Sequence, residues 1–134
     1  NGYIERLKVN PNAYAPDVLA KVKWRIEVTG KSLAKAYPAG VQIAFGTDAG
    51  VSKHGRNADE FALMVKHGMP ASAAIVAATT GAATLLGLDR EVGSLEPGKA
   101  ADLIAVAGDP TRDVTTLTSV RFVMKGGTVF KDER

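Results

Sequence analysis

The chain has 134 residues, no cysteine, a formal net charge of +3 at pH 7 and a hydrophobic content of 46%. Without cysteine it can form neither a disulfide framework nor a thiolate metal site, and its apolar content is that of a folded globular protein. Lysines and arginines are scattered among acidic residues, with no basic face and no set of stacking aromatic residues, so nucleic-acid binding is not expected.

The N-terminal third is predicted to be an irregular loop followed by one long helix. Residues 1–15 contain Asn10-Pro11-Asn12 and lead into Tyr14-Ala15-Pro16, which predicts an irregular loop that ends near Pro16. From residue 17 to about residue 36, apolar residues recur at helical spacing opposite lysines and arginines. This pattern predicts a single amphipathic helix. Gly30 inside that helix would cost about 1 kcal/mol relative to alanine. Trp24 lies off the apolar stripe and is expected to pack against a neighbouring helix.

Residues 41–46 are predicted to form a buried strand that presents Asp48 at its tip. The run is short, rich in β-branched and aromatic residues and bounded by glycines, as in a parallel strand covered by helices. The expected layout is helix–strand–helix, with residues 17–36 and 58–67 flanking the strand. Enzymes with parallel sheets place catalytic groups at the carboxyl ends of strands, whereas a purely structural aspartate would close an Asx turn. Spacing alone leaves both interpretations of Asp48 open.

After a polar loop at residues 51–56, the next helix is predicted to open with a capping box. Asn57 and Glu60 have the spacing of that motif, and the helix is expected to run to His67 and stop at Gly68. A histidine in the last turn favours the negative end of the helix dipole. His67 is therefore explained structurally and is expected to point away from any site.

Two alanine-rich helices and a small antiparallel sheet are predicted to complete the chain. Pro70 precedes a helix over residues 71–78, and Thr80 is expected to cap a helix that ends at Gly87. One edge of the sheet at least is expected to lack a partner, and Asp102, at the start of a strand, is not expected to be catalytic. The predicted strands, separated by turns rich in glycine and proline, are residues 92–95, 101–106, 120–124 and 128–130.

Two motifs resemble those of a known enzyme family. The first is GTDAG at residues 46–50 with the downstream residues His54, Gly55, Asn57, Glu60 and Phe61. The second is GSLEPGKAADL at residues 93–103. In this order and separation they resemble the end of the eighth barrel strand and the C-terminal signature of the amidohydrolase superfamily. The branch they are most similar to holds imidazolonepropionase-like and Xaa-Pro dipeptidase-like enzymes.

The resemblance implies an α/β fold in two parts. Residues 1–90 would be the C-terminal portion of a TIM-like (β/α)8 barrel of a metal-dependent hydrolase, and residues 91–134 a small antiparallel segment of its composite β-sandwich. A complete barrel needs about 200 residues or more. The family's His-x-His pair, its carboxylated lysine or glutamate and its histidines after the fifth and sixth strands are not in this sequence. The segment alone is therefore expected to be inactive.

The resemblance also implies roles for individual residues. In the family, the matching aspartate is both metal ligand and proton shuttle, so Asp48 is the predicted catalytic and metal-binding residue. One or two Zn²⁺ ions are expected in the complete enzyme, and whether this segment alone binds one stays open. His54 and Arg56 are predicted to bind substrate, at a developing oxyanion and a carboxylate respectively. The alternatives, a solvated loop histidine and an exposed loop charge, also stay open.

The predicted reaction is hydrolysis of a peptide-like or cyclic amide bond in a small-molecule or dipeptide substrate. The alternative is a noncatalytic structural or assembly module that keeps the C-terminal half of the fold without its chemistry. An exposed barrel edge is expected to cause association or proteolytic sensitivity, so the partners foreseen are the missing N-terminal part or another copy, in an oligomer.

The sequence contains few indications of membrane association or cellular location. No apolar run reaches the about 18 residues that a membrane helix needs, and no membrane association is expected. A chain that begins at Asn1 without Met suggests trimming of a longer one, so a lost leader stays possible in principle. Cytoplasmic and secreted or periplasmic locations are both open.

Overall fold

The computed structural model describes residues 2–50 and 54–133, which form a mixed α/β structure. The helices are α1 Gly2–Val9, α2 Pro16–Val28, α3 Lys31–Ala36, α4 Asp59–Lys66, α5 Ala71–Ala78 and α6 Thr80–Leu86. The strands are β1 Leu103–Val106, β2 Val120–Lys125 and β3 Thr128–Asp132, with a 3₁₀ helix at Val114–Thr118. Within these residues, no helix combines the length and the apolar character that a membrane crossing requires.

The N-terminal residues depart from the predicted loop because residues 2–9 form α1. Glu5 lies in its first turn and basic residues in its last turn, which suits the helix dipole. The guanidinium of Arg6 lies 5.5 Å from the centre of the Tyr14 ring, a contact across the turn that follows the helix. The loop prediction was wrong for α1 and correct for the residues between α1 and α2.

The predicted long helix is divided in two at Gly30. Its φ of +83° is left-handed, so the chain turns between α2 and α3 instead of continuing. A Cβ at Gly30 would lie 2.1 Å from Nε2 of His67, so the imidazole ring packs directly on this backbone. Trp24 is 64% exposed, which contradicts the expected packing against a neighbouring helix.

The predicted strand at 41–46 is neither helical nor part of a sheet. Val41 is 53% exposed and Ile43 only half-buried, so the segment is not the fully buried strand that was expected. A strand needs a neighbour to complete its ladder of hydrogen bonds, and none lies beside this segment in the described part of the chain. Its backbone donates at two points instead, from Val41 to the carbonyl of Ala36 at 3.1 Å and from Phe45 to that of Ala77 at 2.9 Å.

The core lies between α3, the irregular residues 41–48 (the 41–48 segment), α4 and α5. Small residues let these elements approach closely, and Ala74 and Ala77 on α5 are almost fully buried. A Cβ at Gly81 would lie 3.4 Å from the carbonyl oxygen of Ile43, which shows how near α6 comes to the 41–48 segment. The buried residues of this core are Met64, Met69, Ala74 and Ala77.

The capping box predicted for α4 does not form. The helix begins at Asp59 after Ala58, with no side-chain cap. Later boundaries agree with prediction: α5 follows Pro70, and α6 ends at Gly87 with a left-handed φ of +70°. Thr80, however, is the first helical residue of α6 and not its cap.

The three strands form one antiparallel sheet in the order β1–β2–β3. The strand predicted at 92–95 is absent, since residues 92–94 form bends and residue 95 has no regular structure. Asp102 precedes β1 and its Oδ1 accepts a 2.6 Å hydrogen bond from the Gly126 amide, while the Gly127 amide donates to Ala101. The start of β1 thus fixes the β2–β3 turn. In the described chain the outer edges of β1 and β3 have no strand partner.

The second motif joins the sheet region to the helices. Gly93 has a φ of +96°, and a Cβ there would lie 3.1 Å from the carbonyl oxygen of Thr79, at the junction of α5 and α6. Nζ of Lys99 donates to Oγ of Ser94 at 2.6 Å, with the lysine side chain only 16% exposed. This motif therefore acts structurally, closing a loop against the start of α6.

Candidate active site around Asp48

Asp48 ends the 41–48 segment in a conformation that few residues adopt. Its φ is +47°, the single positive value at a residue other than glycine in the described chain. Aspartate tolerates the left-handed region better than most residues do. Its side chain is exposed and accepts no hydrogen bond from the described residues. As far as the described residues go, the carboxylate is open to a ligand on the exposed surface.

Contacts from α4 and α5 hold the segment that leads to Asp48. The Phe45 ring stacks on Phe61 of α4 with centroids 4.7 Å apart and an interplanar angle of 21°. The Phe45 amide donates to Ala77 of α5 at 2.9 Å. Thr47, two residues after Phe45, is also held, because its Oγ1 accepts a 2.7 Å hydrogen bond from Nδ2 of Asn57. The predicted cap residue thus serves the 41–48 segment instead of the helix.

Asp48 lies on the wall of a cleft of about 760 Å³. The cleft is bounded by the start of α1, the α2–α3 junction, residues 47–49 and one face of α4. This volume is in the range of small-molecule sites. Its titratable lining residues are Glu5, Arg25, Glu27, Asp48, Arg56, Asp59, Glu60, Lys66 and His67, together with Tyr3.

Arg56 lines the cleft but is already paired. Its guanidinium lies 2.7 Å from Oε1 of Glu5 on α1 and also contacts Asp59 of α4. The hydrogen bond with Glu5, followed by that with Asp59, raises the pKa of Arg56 above its ordinary value. A ligand carboxylate would have to compete with these two partners.

The other loop residue of the prediction, His54, is exposed and does not line the cleft. The stretch before it, residues 51–53, belongs to the predicted polar loop and lies outside the described residues. The geometry therefore brings Asp48 and Arg56 to one cleft and leaves His54 apart from it.

His67 was expected to point away from any site, and the structure places it in the cleft wall. Its ring is half-buried and lies on Gly30, where the helix prediction missed the break. The signal available in the sequence was Gly30 itself, because a glycine inside a helical pattern marks a position where another group can approach closely.

The described residues do not by themselves fit a zinc site. Zinc in proteins takes at least three protein ligands, and no group of three His, Cys, Asp or Glu residues in the described ranges is arranged to hold an ion. Asp48 has the chemistry to contribute one ligand. Asp102, by contrast, is engaged by the Gly126 amide in the sheet region.

Comparison with known proteins places these features in context. Residues 10–130 match the sequence profile described as Amidohydrolase family. A solved Xaa-Pro dipeptidase with bound methionine in the active site is 42% identical and superposes with a TM-score of 0.86, over 97% of this chain and 32% of that chain. A putative prolidase from Bifidobacterium longum is 29% identical with a TM-score of 0.83, over 96% of this chain and 32% of that one.

Curated relatives have a second activity in their names. A 5-methylthioadenosine/S-adenosylhomocysteine deaminase from Symbiobacterium thermophilum is 34% identical over 124 residues, 75% of this chain and 28% of the relative. A deaminase of the same name from Moorella thermoacetica is 41% identical over 80 residues, 51% of this chain and 18% of the relative. The chain therefore spans less than a third of these relatives' length.

Proposed function

The chain belongs to the amidohydrolase family, and on that premise we propose that it is the C-terminal part of a metal-dependent hydrolase that cleaves a carbon–nitrogen bond with an activated water. In this proposal residues 1–90 are the last units of a (β/α)8 barrel, and residues 91–134 are a segment of the adjoining β-sandwich. The observation that carries the proposal is the exposed Asp48 carboxylate on the wall of the 760 Å³ cleft.

Asp48 is the proposed proton acceptor and one of the metal ligands in the complete protein. A carboxylate has two oxygens, so it can bind a cation through one and accept a proton through the other. A bound Zn²⁺ would supply a water whose pKa is lowered toward about 7. The further ligands are expected from outside the described residues, and the 134-residue segment alone is expected to be inactive.

Arg56 and His54 are proposed as substrate contacts. Arg56 lines the same cleft as Asp48, which supports a role in binding a substrate carboxylate. The substrate carboxylate would have to replace Glu5 or Asp59 as the ion-pair partner of Arg56. His54 would have to move from its exposed position to reach the oxyanion that develops at the attacked carbonyl. Both assignments stay predictions.

The substrate class we propose is a dipeptide or a similar small amide. The 42% identity and 0.86 TM-score to a Xaa-Pro dipeptidase over nearly the whole chain support it. Deamination is the second candidate, because the curated relatives at 34% and 41% identity are deaminases. Both reactions break a carbon–nitrogen bond by adding water, but only deamination releases ammonia.

The test compares the 134-residue chain with the complete protein encoded by its gene. We expect the complete protein to contain zinc by elemental analysis and to hydrolyse Xaa-Pro dipeptides without releasing ammonia, and the chain alone to do neither. Ammonia release from methylthioadenosine, with no dipeptide cleavage, would favour the deaminase. A native protein that begins near residue 1, binds no metal and cleaves neither substrate would favour the noncatalytic assembly module.

A further inference from the structure

The hydrogen bond between Asn57 and Thr47 joins the two ends of the loop that follows Asp48. Nδ2 of Asn57, just before α4, donates to Oγ1 of Thr47 at 2.7 Å. Thr47 is half-buried and directly precedes Asp48, whereas Asn57 is exposed. The bonded residues are ten positions apart in sequence, so the bond links the two ends of the intervening loop.

The Asn57 side chain has no helix-capping role that would explain this bond. The N-cap of α4 is Ala58, and no side-chain hydrogen bond caps the N-terminus of this helix. Asn57 contributes to the helix only through its backbone carbonyl, which accepts from the Glu60 amide at 3.2 Å. Its side-chain donor is directed to Thr47.

The Asn57 end of the bond is itself anchored. Its neighbour Arg56 pairs with Glu5 on α1 and with Asp59 in the first turn of α4. Toward the other end, the ring and amide contacts of Phe45 with α4 and α5 lie two residues before Thr47. The bond therefore ties the terminal residues of the 41–48 segment to an anchored point.

We propose that Asn57 is a positioning residue that acts through Thr47 to hold the Asp48 carboxylate at the cleft. This inference rests on the proposed function of Asp48. The Asp48 carboxylate accepts no hydrogen bond within the described chain, so among these residues its position rests on the backbone that carries it, which has a φ of +47°. A left-handed φ is uncommon even for aspartate, and among the described residues the side-chain hydrogen bond next to Asp48 along the chain is that of Thr47.

Thr47→Val is the sharpest test, because it removes the hydroxyl while keeping the β-branched shape. In the complete protein we expect kcat to fall about threefold to tenfold with KM unchanged, the effect of losing one neutral hydrogen bond that orients a reacting group. Asn57→Leu should have the same effect, and Thr47→Ser should stay within about twofold of wild type. Thr118→Val is the matched control, since its hydroxyl bonds to Thr115 in the 3₁₀ helix.

A second readout follows Asp48 itself, in complete protein labelled with ¹⁵N-aspartate. We expect Thr47→Val to broaden or split the Asp48 amide signal and Thr47→Ser to restore it. If Asp48→Asn is inactive while Thr47→Val and Asn57→Leu keep wild-type kcat, the positioning role is refuted and the proposed function stands. If Asp48→Asn is active, the proposed function fails. The NMR signal then decides the structural claim, and an unchanged signal in Thr47→Val overturns it.

Discussion

At the scale of single residues, Asp48 combines an uncommon backbone conformation with an exposed carboxylate. Asparagine tolerates the left-handed region as well as aspartate does and would also serve an Asx turn. Asp48→Asn therefore separates chemistry from conformation. We expect the free energy of unfolding to be unchanged and kcat of the complete protein to fall at least about 10³-fold, as for loss of a proton acceptor that also binds the ion.

Steady-state kinetics, urea unfolding and zinc content of the same preparations provide the measurement. Activity within about tenfold of wild type at unchanged metal content would leave Asp48 with a structural role only.

Gly30 offers a second prediction, with a matched control in Gly40. Both have a left-handed φ, +83° and +80°, but a Cβ at Gly30 would collide with the His67 ring while one at Gly40 would meet nothing within 4 Å. Gly40→Ala should cost about 1–2 kcal/mol through backbone strain alone, and Gly30→Ala about 2–4 kcal/mol. Chemical denaturation measures both. Adding His67→Ala should recover part of the loss at Gly30, and equal losses at both glycines would contradict the packing of His67.

At the scale of elements, Asp102 links the start of β1 to the β2–β3 turn. Asp102→Ala leaves the Gly126 amide without its 2.6 Å acceptor and should lower the free energy of unfolding by about 1–2 kcal/mol. Asp102→Asn keeps an acceptor oxygen and should lose less. Asp89→Ala is the control, because Asp89 is exposed and accepts no hydrogen bond in the described chain. If urea unfolding gave Asp89→Ala the same loss in free energy of unfolding as Asp102→Ala, the stabilising role of Asp102 would be refuted.

Two Asp–Thr turns, one before the 3₁₀ helix and one at its N-cap, predict a dependence on pH. The hydroxyl and amide of Thr111 lower the pKa of Asp109, and those of Thr115 lower the pKa of Asp113. Because the folded state depresses these pKa values, the stabilisation is complete above the ordinary aspartate pKa of about 4 and is lost as pH falls through and below it.

Thermal unfolding measured between about pH 5 and pH 2 tests this expectation. Replacing Thr111 and Thr115 together by valine should make the fall in Tm with acidification shallower. Thr118→Val, whose hydroxyl bonds to a carbonyl, should leave the slope as in wild type. Identical slopes in all three proteins would show that these turns do not contribute.

Elements with local boundary signals were predictable from the sequence. Pro70 and Gly87 mark the limits of the α5–α6 pair because a proline fits the start of a helix and a glycine adopts the left-handed end without penalty. The break at Gly30 was missed because apolar periodicity continues across it, and the His67 ring that packs on Gly30 comes from another helix end, which periodicity cannot reveal.

Features that depend on distant contacts were not predictable. Residues 41–46 have strand-like composition, yet strand pairing requires a neighbour that the described chain does not place beside them. Asn57 has capping-box spacing, but its amide finds Thr47 across the loop, a contact that spacing along α4 cannot reveal. Asp48 was singled out from its motif. That residues of α1 line a cleft together with Asp48 could be seen only in the folded structure.

At the scale of the whole molecule, several large apolar side chains lie on the surface. Leu85 and Leu86 at the end of α6 are 73% and 69% exposed, and Phe130 on β3 is 70% exposed. Exposed apolar groups of this kind favour association, so we propose that the isolated 134-residue chain self-associates.

Sedimentation velocity or light scattering over a range of concentrations tests this. Replacing Leu85 and Leu86 by lysine should shift the chain toward monomer, whereas Val9→Lys, at an 88% exposed position on α1, should have less effect. A wild-type chain that is monodisperse and monomeric at high concentration would refute the prediction.

The sparse bonding of the 41–48 segment has a consequence for hydrogen exchange. In the described structure, Val41 and Phe45 donate their amides to carbonyl groups, while the amides between them have no acceptor. Deuterium should therefore enter residues 42–44 at rates near those of an unstructured peptide. The Phe45 amide should exchange only when the segment lifts away from α5, so this one proton reports how often the backbone that leads to Asp48 detaches from the core.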